Sequence, residues 1–101
     1  MFTPLQKIIS GAAARLGIKR EIEAALICEK YRKLAPRLVH ANALQHTFPK
    51  FYRNKTLTVG VENSAWAHQV AINKKTILQA MNESLGKTAV NAIKTVVVES
   101  I

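Results

Sequence analysis

Aspartate is absent from this 101-residue chain, and all six of its acidic residues are glutamates scattered along it. Without a carboxylate cluster nothing is placed to hold Mg²⁺ or to run paired acid–base chemistry. The single cysteine, Cys28, excludes an internal disulfide and the stapled secreted mini-protein class, and it fits a reducing cytoplasm. Cys28 falls on the apolar face of a helical pattern, where it reads as a small core residue rather than a nucleophile. The four glycines, at 11, 17, 60 and 86, match neither a phosphate-cradling P-loop nor a GxGxxG turn. His40, His46 and His68 form no i,i+4 pair and have no second cysteine to join, so a zinc site is not expected. Apolar runs stay far below the roughly 20 residues that span a bilayer. The N-terminal stretch lacks the basic region that opens a secretory signal. The expectation is a cytoplasmic, non-enzymatic protein with no cofactor, metal, small-molecule substrate or membrane partner.

What is present is apolar content and positive charge. At 49% hydrophobic residues, 101 residues form one domain able to offset the entropy of ordering the chain. Fifteen Lys and Arg give a net charge of +9. The charge is lopsided: residues 1–55 hold eleven basic and three acidic side chains, a net of +8, and residues 56–101 a net of +1. A basic half on a small domain suggests a polyanionic partner.

The periodicity predicts the order α-α-β-β-α-β, an α+β fold with a three-stranded sheet packed against helices. Thr3, Pro4 and Gln6 form a helix start, and Leu5, Ile8, Ile9, Ala12 and Leu16 share one face before Gly17, the expected stop. A second helix is predicted over about 19–35, burying Ala24, Ile27, Cys28, Tyr31, Leu34 and Ala35. Pro36 is expected to end or kink it. On this helix Lys19, Lys30, Lys33 and Arg37 form a separate stripe roughly 60° wide. The aromatic-rich segment Leu44–Tyr52 and the alternating Thr56–Val61 read as a hairpin turning at residues 53–55. A long helix over 65–84 follows, capped by Asn63 or Ser64, with Ala67, Val70, Ala71, Ile77, Leu78 and Met81 inside and Gly86 as its stop. Ala92–Val98 reads as a buried strand. Within the single domain 1–101 the divisions are 1–17, 18–43 and 44–101.

The segment His46–Lys55 interleaves Phe48, Phe51 and Tyr52 with Lys50, Arg53 and Lys55. Single-stranded nucleic acid asks for that pairing, cations for its backbone and ring faces for its bases. Period two puts at least one of these aromatics inside. The expected nucleic-acid contacts are Lys30, Lys33, Arg37, His46, Lys50, Arg53 and Lys55. Trp66 reads either as a base-stacking residue or as an anchor onto the sheet.

The run Asn54-Lys55-Thr56-Leu57-Thr58-Val59, with Val61 and Ser64-Ala65-Trp66-Ala67 after it, resembles the signature of the DciA family, in which a hairpin ending in a dGtLtV pattern leads into a long helix. Ile77-Leu78, Asn82, Leu85-Gly86, Val90 and Ile93 continue the resemblance, with His46-Thr47 and Pro49 before the hairpin. It spans about residues 30–98. Where many members carry W-x-x-I-V-G, this chain reads Ala35-Pro36-Arg37-Leu38-Val39-His40. Many members also continue into a tail, whereas this chain stops three residues beyond Val98. The resemblance implies a type II KH-like fold; the sequence contains no GxxG, so the usual KH backbone clamp is not available to it. It also implies DNA binding and an adaptor role toward the hexameric replicative helicase. Candidate helicase contacts are Ile8, Ile9 and Leu16 of the first helix and Ile22 and Leu26 of the second. RNA binding in a ribosome-associated role and a pure protein-interaction module are the other two readings.

Overall fold

In the computed structural model the backbone is described for residues 12–99 and the side chains for residues 17–99. Helix α1 runs Ala12–Leu38 without interruption. The expected stop at Gly17 does not occur, and the two predicted N-terminal helices merge across it. A glycine inside a helix costs only about 1 kcal/mol relative to alanine. Among the described glycines, Gly86 alone takes the positive φ of a helix terminator. The part of the predicted first helix that carries Ile8 and Ile9 lies outside the described residues. Pro36 also fails to stop α1: its ring fixes a helical φ and removes one hydrogen bond. The helix ends two residues later, where the Val39 and His40 amides both return to the Ala35 carbonyl, at 2.9 and 3.3 Å.

A single helical turn, α2 at Ala43–His46, replaces the predicted start of the first strand. Strand β1 is Thr47–Arg53. Thr47 Oγ1 donates to the Ala43 carbonyl at 2.8 Å, which ties the strand back to the turn. Its one proton is thereby engaged, so the buried Tyr31 hydroxyl donates to Thr47 Oγ1, also at 2.8 Å. Strand β2, Thr56–Val61, pairs antiparallel with β1. The two turn residues, Asn54 and Lys55, have φ of 51° and 59°. Positive φ at both central positions is what a type I′ turn requires, and its twist matches that of the strands.

The predicted long helix is two helices, α3 at Ser64–Ile72 and α4 at Lys74–Leu85. Asn63 Oδ1 caps the first by accepting the Trp66 amide at 3.1 Å. Asn73 breaks the pair because its side-chain amide donates to the Gln69 carbonyl at 2.8 Å, competing with the helical ladder. Val70, Ile77 and Met81 keep the i, i+7, i+11 spacing of one helical face across the break and are buried, while Ala71, an expected core residue, lies about 100° round from Val70 and faces solvent. Gly86, with φ of 70°, ends α4 as the sequence predicts. Strand β3, Ala92–Val97, then pairs parallel with β2, giving the order β1-β2-β3.

One sheet face holds the core. Leu57, Val59 and Val61 alternate along β2 and meet Ile27, Tyr31 and Ala35 of α1, Val70 of α3, and Ile77 and Met81 of α4. All described helices therefore bury their apolar sides on the same face. The opposite face carries none of them. Among the described residues no helix is long and apolar enough to cross a membrane.

Candidate nucleic-acid interface

Helix α1 lies antiparallel to β1. Tyr31 meets Thr47 near the start of the strand, and two turns earlier Glu23 meets Tyr52 near its end. The Tyr52 hydroxyl donates its one proton to the Ala89 carbonyl, and Glu23 Oε1 lies 3.3 Å from the same hydroxyl oxygen. Arg20, one turn before Glu23, is thus carried over the hairpin tip. Arg20, Glu23, Tyr52, Arg53, Asn54 and Lys55 line an open cleft of about 590 Å³. Three cations face one carboxylate there, and Lys87 Nζ, 3.5 Å from Glu23 Oε2, offsets that carboxylate further.

The seven expected contacts do not converge. Arg53 and Lys55 belong to the tip cleft, and Lys50 is exposed further back along β1. Lys33 and Arg37 are exposed on α1 and Lys30 is half-buried; Lys33 Nζ lies 3.9 Å from a Glu29 carboxylate oxygen. From Arg20 to Lys33 the helix climbs about 20 Å, so this group is a separate patch from the cleft. His46 is engaged elsewhere. Its Nδ1 bonds Glu62, and its ring lies flat on Trp66 at 4.6 Å and 14°, with His40 edge-on to the same indole at 5.6 Å. Trp66 is half-buried against the core, which supports the anchor reading of it. Of the candidate partner contacts, Ile22 and Leu26 are exposed and line a groove of about 210 Å³ with Leu85 and Ala89. Ile8, Ile9 and the side chain of Leu16 lie outside the described residues. Two exposed residues escaped the sequence reading. Arg20 stands about 100° round the helix from the Lys19 stripe, and only the packing of α1 on the hairpin brings it to the cleft. Ile18 continues the Ile22–Leu26 line at i−4, a spacing that could have revealed it.

The family model described as Dna[CI] antecedent, DciA, matches residues 4–95. The chain belongs to the DciA family. The match takes in the first half of α1, ahead of the resemblance visible from residue 30, and so includes Arg20. Among curated proteins, none matches this DciA chain.

Burial pushes the Cys28 thiol of the DciA domain above its ordinary range, with Arg32 opposing the shift, which is contrary to what a nucleophilic thiolate needs. Both tyrosines shift upward too. Burial raises Tyr31, against the effect of its bond to Thr47, and burial together with the Glu23 charge raises Tyr52. A phenol whose pKa is higher folded than unfolded lends stability below the unfolded value, about 10, and loses it as pH rises beyond that. The melting temperature should therefore fall above about pH 10 more steeply for the native chain than for Y31F/Y52F. Equal slopes in thermal melts across that range would contradict this.

Proposed function

We propose that this chain is a non-catalytic adaptor that binds nucleic acid, single-stranded DNA foremost, and helps bring the hexameric replicative helicase onto it. The tip cleft carries the reading: Arg20, Arg53 and Lys55 gather three positive charges around an open concavity of about 590 Å³, the charge a phosphodiester backbone calls for. A local strain supports it. A type I′ turn favours glycine at its second central position, yet Lys55 stands there at φ 59°. Holding a lysine in the left-handed region costs on the order of 1 kcal/mol, and such costs are characteristically kept where a side chain has work to do. Family membership supports the helicase half, and the exposed line Ile18, Ile22 and Leu26 is the surface offered to that partner. No nucleotide site is required of the adaptor, because a hexameric helicase brings its own.

Titrating single-stranded DNA, duplex DNA and RNA against the protein across salt concentrations tests the reading. Replacing Arg20, Arg53 and Lys55 with alanine should flatten the log–log salt dependence by about 2 for single strands, at about 0.7 per neutralised phosphate. Fold should be retained by circular dichroism. An unchanged slope reduces the cleft to a solvated surface, and a marked preference for RNA moves the function to RNA. Light scattering with the cognate helicase, with and without DNA, checks the second half; no complex at micromolar concentration in either case removes it.

A further inference from the structure

The open face of the sheet has been shaped by one inserted residue. Phe48 and Phe51 are three residues apart, so a regular strand would send them to opposite faces. The β1–β2 register shifts between Pro49 and Phe51, with Pro49 opposite Val59 and Phe51 opposite Thr58. Lys50 is the extra residue of a bulge. Both phenylalanines consequently share the face away from the helices, while Pro49 and Tyr52 point inward with Val59 and Leu57. This is how one strand turns its tyrosine to the core and both its phenylalanines out.

Each ring has a support. Opposite Phe48 stands Gly60, where a Cβ would come within 2.6 Å of the Phe48 ring, so the ring lies directly on the β2 backbone. Phe51 is 47% exposed, in register with the buried Thr58 and, one strand further, with Lys94. Arg53 shares this face, its guanidinium 5.9 Å from the centre of the Phe51 ring. No strand of the sheet contains an acidic residue. A sheet face free of the described helices, with flat aromatic rings between cations, suits unpaired bases and their phosphates.

We propose that the face of the sheet away from the described helices is a base-stacking platform for single-stranded nucleic acid, with Phe51 as its main stacking ring, Phe48 beside it, and Lys94 and Arg53 as phosphate contacts. This rests on the nucleic-acid reading above and deepens it. Phosphates alone do not distinguish single strands from duplex, whereas a platform of rings admits only bases that are already unstacked. Lys94 is the new cation in the set, brought to the face by the parallel pairing of β3 with β2.

Two strands of equal length separate stacking from charge: oligothymidylate, and the same sugar–phosphate backbone with every base removed. The native protein is expected to bind the base-bearing strand more tightly. The variant F51A should weaken that binding about 5- to 150-fold, the range base–aromatic stacking supplies, and leave the abasic strand unaffected. F51W should restore it. K94A should weaken both strands together. If F51A leaves both affinities unchanged while the salt-dependent binding persists, the platform is refuted and the nucleic-acid reading stands. If the native protein binds neither strand, both fall. A change in oligomeric state with F51A, without a change in affinity, would assign the face to a second copy of the chain and overturn the proposal.

Discussion

Replacing Tyr31 with alanine should cost about 3–5 kcal/mol, enough to leave much of the protein unfolded under ordinary conditions if its stability is that of a typical domain, about 5–15 kcal/mol. Among the described residues, Tyr31 is the largest fully buried side chain. Its ring packs among the Ile27, Ala35 and β2 side chains, and its hydroxyl closes the relay through Thr47 to the Ala43 carbonyl. Truncation leaves a cavity at the place where α1, α2 and β1 meet. Tyr31→Phe removes the hydroxyl alone and should cost about 1 kcal/mol, since Thr47 keeps Ala43 as its acceptor. Urea denaturation gives both numbers; a loss below about 2 kcal/mol for Y31A would mean that the junction collapses to fill the space.

Asn82→Leu is the second large effect, expected at about 2–3 kcal/mol. The Asn82 side chain manages the loop after α4 as a backbone surrogate. Its Oδ1 accepts the Ala89 and Val90 amides at 2.9 and 3.0 Å, and its Nδ2 donates to the Val90 carbonyl at 2.9 Å. The Ala89 amide has a second acceptor in the Lys87 carbonyl, so the buried Val90 amide is the one left unsatisfied by leucine. Its hydrogen exchange should accelerate more than that of the neighbouring sheet amides. The Ala89 carbonyl also receives the Tyr52 hydroxyl, so the variant loosens one wall of the tip cleft. Asn82→Asp, which keeps the acceptor and loses the donor, should fall between the native chain and N82L. If N82L melts with the native protein, the loop is held by its apolar contacts instead.

The strands were legible because their signals are local. Leu57, Val59 and Val61 alternate, Asn54 marks the turn, and Val96 and Val97 belong to the last strand. That strand is the sheet edge, however, and only Ile93 of it is buried, with Val97 exposed, against the expectation of a buried strand. The helical segments were legible in kind and less so in their limits. Gly17 and Pro36 are read as breakers, yet the helix runs through Gly17 at about 1 kcal/mol and through Pro36 at about 3 kcal/mol, stopping two residues after the proline. Asn73 is read as helical when its side chain is what breaks the helix. The cleft was half legible. Arg53 and Lys55 belong to one short segment, whereas Arg20 joins them only through the antiparallel packing of α1. The histidine at 46 shows the limit from the other side. Its charge type fits a phosphate, but Glu62 and Trp66, sixteen and twenty residues away in sequence, claim its ring. The bulge at Lys50 leaves no mark in composition, so no counting of alternate residues sends both phenylalanines outward.

The parallel pairing of β2 with β3 has a consequence for the order in which the chain folds. The β1–β2 hairpin closes across two residues and can form on the microsecond scale, whereas Leu57 and Ile93 become neighbours only after α3, α4 and the Asn82-held loop have carried the chain back. Contacts so far apart in sequence must meet the entropy of closing the intervening loop before they return any stabilisation. Until β3 arrives, β2 has an unpaired edge and its Leu57 and Val59 lack Ile93 beside them. A nascent or heated chain therefore passes through a species with one open, apolar strand edge, and it is there, rather than on the charged outside of the finished domain, that aggregation would begin.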